Sequence, residues 1–327
     1  MTADMTGVKG TIIFKGDDKG EFDIFCGAEQ GTFALSKSTD DSHFTEIRFN
    51  GDYVSQLSDP IKVGMIESTS DVTEHDDYMK FRANFGSGSG FKNLQVGGTG
   101  LSGTYYGSIC RHSNGADWNV EKAGAGTWTL GGNTHSEVYH GTTTLTGGTL
   151  KMADAGRLGT GNLIFNGGTL GFAASSTNTI GNAIVATDHP ITVDADEGAC
   201  GVLSGTLSAL SQGIVKTGEG FVKINNLTLK RGSSDTDVVT SDGYSVQFDE
   251  GTLGVGTLAL DSGETIDLNG RNLAINAHTQ TTASNGGSVL KNDAATLSTV
   301  TAYGTFPNKT LALQGNIRYV LTGNDNT

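Results

Sequence analysis

The sequence predicts an all-β chain wound as a parallel β-solenoid, and three observations carry that prediction. Of 327 residues, 49 are Gly and 42 are Thr, while only 3 are Pro. Short runs of alternating character recur between turn residues throughout the second half. A Gly-Gly-Thr-Leu tetrad at 147–150 returns twenty residues later, at 167–170.

The Gly share is twice the ~7% of an average protein. No strict Gly-X-Y period accompanies it, so collagen is excluded, and aliphatic residues recur too often for a linker. Gly and Thr are poor helix formers, and stretches rich in Ala, Leu, Glu and Lys are missing. Gly supplies turns with positive φ, and Thr, Val and Ile suit a pleated surface. Hydrophobic residues make up 35% of the chain, which together with Gly is enough for a core.

The strands follow from alternation. Successive side chains of a strand point to opposite faces. Val120–Leu130 aligns with Ile214–Ile224, both reading Lys-x-Gly-x-Gly and then a strand. Lys223 is expected to face water, so Val222 and Ile224 turn inward, as do their counterparts Trp128 and Leu130. Trp118 shares a face with Val120 and is expected inside. Further short strands are predicted at 143–145, 149–152, 162–165, 169–172, 198–203 and 257–260, each bounded by Gly, Asn or Asp. A period near twenty residues is one coil of a solenoid, whereas a propeller blade needs about forty. Shorter echoes at Gly205-Thr-Leu207, Gly251-Thr-Leu253 and Gly256-Thr-Leu258 are read as later coils, some separated by insertions.

Charge divides the chain near residue 95. Residues 1–95 hold 16 acidic and 9 basic residues (25 of 95), and residues 96–327 hold 19 and 12 (31 of 232). A Gly-Ser run at 85–90 marks the change. Two readings stay open for 1–95: a separate β module, or the first, more charged coils. Residues 96–327 form the solenoid, with repeats clearest at 118–172 and 213–258. At ~20–25 residues per coil it has roughly ten coils.

Net charge is −14. Without a Lys/Arg cluster, neither nucleic acid nor an anionic membrane is an expected partner. No run of 18 apolar residues provides a membrane-spanning helix. The three cysteines, Cys26, Cys110 and Cys200, lie far apart without a C-x-x-C and are expected to be buried thiols.

The run Lys122-Ala-Gly-Ala-Gly-Thr-Trp-Thr-Leu-Gly-Gly132, with Gly141-Thr-Thr-Thr-Leu-Thr-Gly-Gly-Thr-Leu150 and Arg157-Leu-Gly-Thr-Gly-Asn-Leu-Ile-Phe-Asn-Gly-Gly-Thr-Leu170, resembles the autotransporter-associated β-strand repeat of type V secreted proteins. The resemblance is clear over 118–172 and weaker to about 275. Trp128 stands where the family usually has Leu. The resemblance implies a right-handed parallel β-helix, exported and displayed on the surface of a Gram-negative bacterium. It transfers no catalytic residue. The family's signal peptide and C-terminal translocator barrel are not in the sequence, so a fragment of a larger passenger is expected.

Three groups are candidate sites. Glu74-His-Asp-Asp-Tyr78, centred on Asp76 and Asp77, has hard carboxylate oxygens suited to Ca²⁺ or to acid–base work. Asp194-Ala-Asp-Glu197 and Asp235-Thr-Asp237 place carboxylates on alternate strand positions, with Asp194 and Asp196 the Ca²⁺ candidates. Neither matches a full Ca²⁺-binding loop, and a solvated turn is the plainer reading of all three acidic runs. Tyr105 and Tyr106 are candidate ligand contacts, one on each face of their strand. No nucleophile elbow, phosphate loop or H-E-x-x-H appears, and the seven His show no ligand spacing.

The function expected is that of a structural or adhesive surface protein, presenting walls rich in Thr, Asn and Ser to a glycan or protein, with no cofactor required. Two alternatives are a polysaccharide-active β-helix enzyme and end-to-end assembly through open strand edges.

Overall fold

The computed structural model describes residues 2–3, 11–14, 20–24, 31–36, 45–50, 59–70, 72, 79–84, 90–98, 100–111, 117–131, 137–208, 212–279, 287–303 and 311–322. Among these residues the chain is β throughout, apart from one 3₁₀ turn at Ala155–Arg157. Its parallel strands stack as a β-solenoid of about ten turns. The chain divides into two compact units, Met1–Gly171 and Phe172–Thr327.

In the first unit, successive turns of chain add parallel strands to stacked walls. One wall stacks Ile61–Val63, Phe91–Val96, Asp117–Lys122, Thr143–Leu145 and Leu163–Phe165 in sequence order. Another stacks Gly103–Tyr105, Thr127–Leu130 and Thr149–Met152. A third runs from Gly20–Ile24 through Thr45–Asn50 and Met79–Asn84 to Ser108–Arg111. Phe91–Val96 pairs with a strand on either side, so hydrogen bonding continues unbroken through residue 95, where charge density falls.

The twenty-residue period is one coil. Thr169 N–H donates to Gly148 O (2.8 Å), which joins the two Gly-Gly-Thr-Leu corners on adjacent turns. Gly148 shows why the corner needs glycine. Its φ is +56°, and a Cβ there would collide with the carbonyl oxygen of Gly126 on the coil beneath. Left-handed backbone and close stacking thus demand the same residue.

Alternation sorts the side chains as expected. Trp118, Val120, Trp128, Leu130, Val222 and Ile224 are buried, while Thr127, Thr129, Phe221 and Lys223 take the other face. The Trp128 indole N–H donates to Ile66 O (2.8 Å), which satisfies its polar atom within the core. Trp118 packs on Phe81 with ring centroids 5.9 Å apart.

The second unit is built on the same rule. Thr177–Ile180, Cys200–Leu203, Phe221–Arg231, Thr252–Ala259, Asn272–Thr279, Ser298–Ala302 and Ile317–Leu321 stack in parallel. The interval from Gly205-Thr-Leu207 to Gly251-Thr-Leu253 is two coils, passing through Phe221–Arg231. The second of them is lengthened by Val238–Thr240, which folds back antiparallel on Leu229–Arg231. Gly251-Thr-Leu253 and Gly256-Thr-Leu258 prove to share one coil, because both feed the single strand Thr252–Ala259.

Candidate functional site

The wall made by Phe91–Val96, Asp117–Lys122 and Thr143–Leu145 carries the most developed surface feature. Alternation turns Leu94, Val96 and Val120 into the core and leaves Phe91, Asn93, Gln95, Asn119 and Glu121 facing out. Register sets Asn119 beside Asn93 and Glu121 beside Gln95. The polar groups therefore link from coil to coil. Asn93 Nδ2 donates to Asp59 Oδ1 (2.9 Å), Asn119 Nδ2 donates to Asn93 Oδ1 (3.0 Å), and Thr142 N–H donates to Asn119 Oδ1 (3.0 Å). Alongside, Gln95 Nε2 donates to Glu121 Oε2 (3.0 Å) and Thr146 Oγ1 to Glu121 Oε1 (2.7 Å).

Asn93, Asn119 and Glu121 line an open groove of about 360 Å³, bounded by Pro60 at one end and Asn166 at the other, with Thr142, Thr144 and Thr146 along its length. No lining residue is basic. Beside it Phe91 is 51% exposed, a large apolar ring held in solvent. Gly141 makes room for it: a Cβ there would press on both the Phe91 ring and the Asn119 side chain. On the same wall, the buried Asp117 carboxylate holds the exposed His140 ring, Oδ2 to Nδ1 at 2.6 Å.

Behind this wall lies an arrangement that sequence reasoning missed. Lys122 is fully buried, at a register position that neighbouring strands fill with Val96 and Leu145. Its ammonium donates to Ala123 O (2.6 Å), Gly124 O (3.1 Å) and Gly147 O (3.2 Å). Thus the Lys of Lys-x-Gly-x-Gly ties the Gly corner of its own coil to that of the next. In the second unit Lys216 does the same, donating to Gly218 O and to Glu250 O (2.7 Å), between Val193 and Phe248. Loss of water lowers the pKa of each to about 8, against a small opposing pull from Asp194 and Glu250 at Lys216. A signal was present in the sequence. Both lysines sit in phase with inward apolar residues.

The sequence candidates fare differently. Asp76 and Asp77, with the rest of their cluster, lie outside the described residues. Asp194 and Asp196 flank buried Ala195 and face out, but each is committed elsewhere. Asp194 accepts from Thr217 Oγ1 (2.8 Å) and Asp196 from Ala174 N–H (3.2 Å). Asp235 is ion-paired to Arg231, and Asp237 accepts from the Ser233 backbone and hydroxyl. Among the described residues no group of three or more His, Cys, Asp and Glu stands ready for a metal ion. The proposed contact Tyr105 is corrected. Alternation turns it into the core at 0% exposure, where its hydroxyl donates to Ser108 O (3.3 Å). Tyr106 is half-buried against Gly131.

Cys110 is a buried free thiol, its pKa pushed up to about 12 by burial. Cys200 is also free but only half-buried, since it takes the outward phase of its strand; Cys26 lies outside the described residues. Above Cys110, Glu137 Oε2 accepts from Lys80 (2.8 Å) and Arg82 (2.9 Å). Burial works to raise the Glu137 pKa, but those two cations outweigh it and hold the carboxyl at about 2.

No helix among the described residues is long and apolar enough to cross a membrane. No protein-family profile, curated protein or solved structure matches the chain.

Proposed function

We propose that the chain is a structural and adhesive β-solenoid, displayed outside a bacterial cell, that binds a glycan on the wall formed by Phe91–Val96, Asp117–Lys122 and Thr143–Leu145. The likeness to autotransporter repeats supports export and display. The groove carries the binding half of the reading. Amides, hydroxyls and one carboxylate converge along it, beside an exposed aromatic ring, which is the chemistry that recognises a polyhydroxylated ligand. A glycan array with the full chain tests this. Binding of at least one glycan class is expected, reduced about tenfold by Asn93→Ala with the melting temperature unchanged. An array on which nothing binds removes the reading.

One observation favours a second reading, an enzyme acting on the bound polysaccharide. Asp117 fixes the orientation of an exposed imidazole on the same wall, as a general base requires. Release of new reducing ends or unsaturated termini, abolished in His140→Gln, is expected if this holds. A polysaccharide recovered uncut after prolonged incubation eliminates it.

A further inference from the structure

We infer that the groove takes a neutral, extended polysaccharide running along the direction in which the coils stack, one sugar ring per coil. The inference rests on the glycan-binding reading above and adds the class and the direction of the ligand.

Direction follows from the lining. The groove crosses five successive strands: Pro60 precedes the first, Asn93 is on the second, Asn119 and Glu121 on the third, Thr144 on the fourth, and Asn166 follows the fifth. Neighbouring strands lie ~4.8 Å apart, about the length of one pyranose ring in an extended chain. A ligand lying along the axis therefore meets an equivalent set of polar groups at each ring. A ligand lying across the axis would meet one strand, whose alternate positions are buried.

Class follows from hydrogen-bond capacity. Asn93 and Asn119 each have two amide N–H groups and spend one on the ladder, leaving one donor apiece. Asn119 Oδ1 already accepts from both the Thr142 N–H and its hydroxyl. The Asn119 amide is thereby locked with its remaining N–H as its offer to a ligand. Glu121 uses one acceptor site on each oxygen and keeps about two for hydroxyl donors. Donors and acceptors in alternation suit sugar hydroxyls, which are both.

Charge gives the exclusion. Glu121 lies mid-groove, no Lys or Arg lines it, Asp59 anchors one end of the ladder, and the chain carries a net −14. Lys62 stands beside Gln95 on the same outward face but outside the groove lining, so within the groove an acidic sugar would meet only like charge. Phe91 supplies a stacking face for a ring at the groove's side.

The test is titration calorimetry on the full chain with β-1,4-linked oligomers of glucose, mannose and N-acetylglucosamine, from one to six units, and with glucuronic acid oligomers of the same lengths. Affinity is expected to rise with each added unit and to level off near five, with the acidic series about tenfold or more weaker. Glu121→Gln is expected to narrow that gap. Equal affinity for monomer and pentamer overturns the axial placement, and tighter binding of the acidic series overturns the neutral class. Binding confined to other glycans on the array overturns this inference while leaving the glycan-binding reading intact. If neither the array nor the oligomers show binding, both fall together.

Discussion

The two units each hold one copy of the same sequence unit, and the copies agree on one side of the strand only. Inward positions match: Val120 with Ile214, Lys122 with Lys216, Trp128 with Val222 and Leu130 with Ile224 are all buried. Outward positions diverge. Glu121, which takes part in the groove, corresponds to Val215; Thr127 and Thr129 correspond to Phe221 and Lys223. The repeat therefore encodes the stacking, corner and core together, and leaves the wall open to variation. On the proposed reading, recognition would belong to the divergent half.

The lysines give the strongest way to break that comparison. If Lys122 and Lys216 are stacking devices, replacing either should be severe in its own unit. Lys122→Ala leaves a cavity and strands carbonyls that now share an ammonium, for a loss of about 3–5 kcal/mol in denaturant unfolding. Lys216→Ala should cost nearly as much. A loss below about 1 kcal/mol at either position would show that the two corners are held differently. The pH dependence sharpens the point. A base whose pKa falls from 10.5 to about 8 on folding binds fewer protons folded than unfolded between those values, so its contribution to stability grows as pH rises from about 8 to 10.5. Subtracting the Lys122→Met curve from that of the native chain isolates this rise from opposing groups such as Cys110.

Gly148→Ala should follow in size. The substitution imposes a Cβ on positive φ and drives it into Gly126 O, at roughly 2 kcal/mol or more. Gly243 has φ +88° with nothing within 4 Å of its would-be Cβ. Gly243→Ala should therefore show the backbone cost alone, about 1 kcal/mol. Equal losses at the two sites would mean that close stacking at the corner adds nothing to the demand for Gly.

These cases show what was legible in the sequence and what was not. Period and alternation are local, so the coils and the burial of Trp118, Trp128, Leu130, Val222 and Ile224 could be read from the chain. The lysines were passed over: alternation places them in phase with inward residues, but a charged side chain is not expected inside, and only the carbonyls of two stacked corners make its burial tolerable. The fold-back at Val238–Thr240 was hidden in a polar stretch that reads as a turn. The groove needed register. Asn93, Asn119 and Thr142 are unremarked polar residues until three coils are laid one on another. The acidic runs drew attention as clusters in sequence, but Asp194, Asp196, Asp235 and Asp237 each face a neighbour that neutralises or hydrogen-bonds them.

A smaller effect is expected at Glu137. Held at about 2 by Lys80 and Arg82, its carboxyl is depressed on folding, so its stabilisation is complete above the ordinary carboxyl pKa near 4.5 and is lost as pH falls from there to about 2. Because the side chain is 42% exposed, water screens much of the attraction. Glu137→Gln should flatten the acid limb of the stability curve by less than the full shift implies. An acid limb unchanged by the substitution would show that the two cations do not depend on this carboxylate.

The smallest stability effects should fall on the wall, and there the comparison between inward and outward faces becomes decisive. Asn93 is exposed, and its hydrogen bonds run to other exposed groups, so Asn93→Ala should alter unfolding by about 0.5 kcal/mol or less. The same substitution removes a donor from the groove and the acceptor of one Asn119 N–H, and a loss of about tenfold in glycan affinity is expected. Calorimetric binding and denaturant unfolding on one preparation separate the two. A variant that binds as well as the native chain would place recognition elsewhere on the molecule. One that loses stability in proportion to binding would make the ladder part of the stacking machinery, and the division between conserved interior and variable wall would no longer hold at this position.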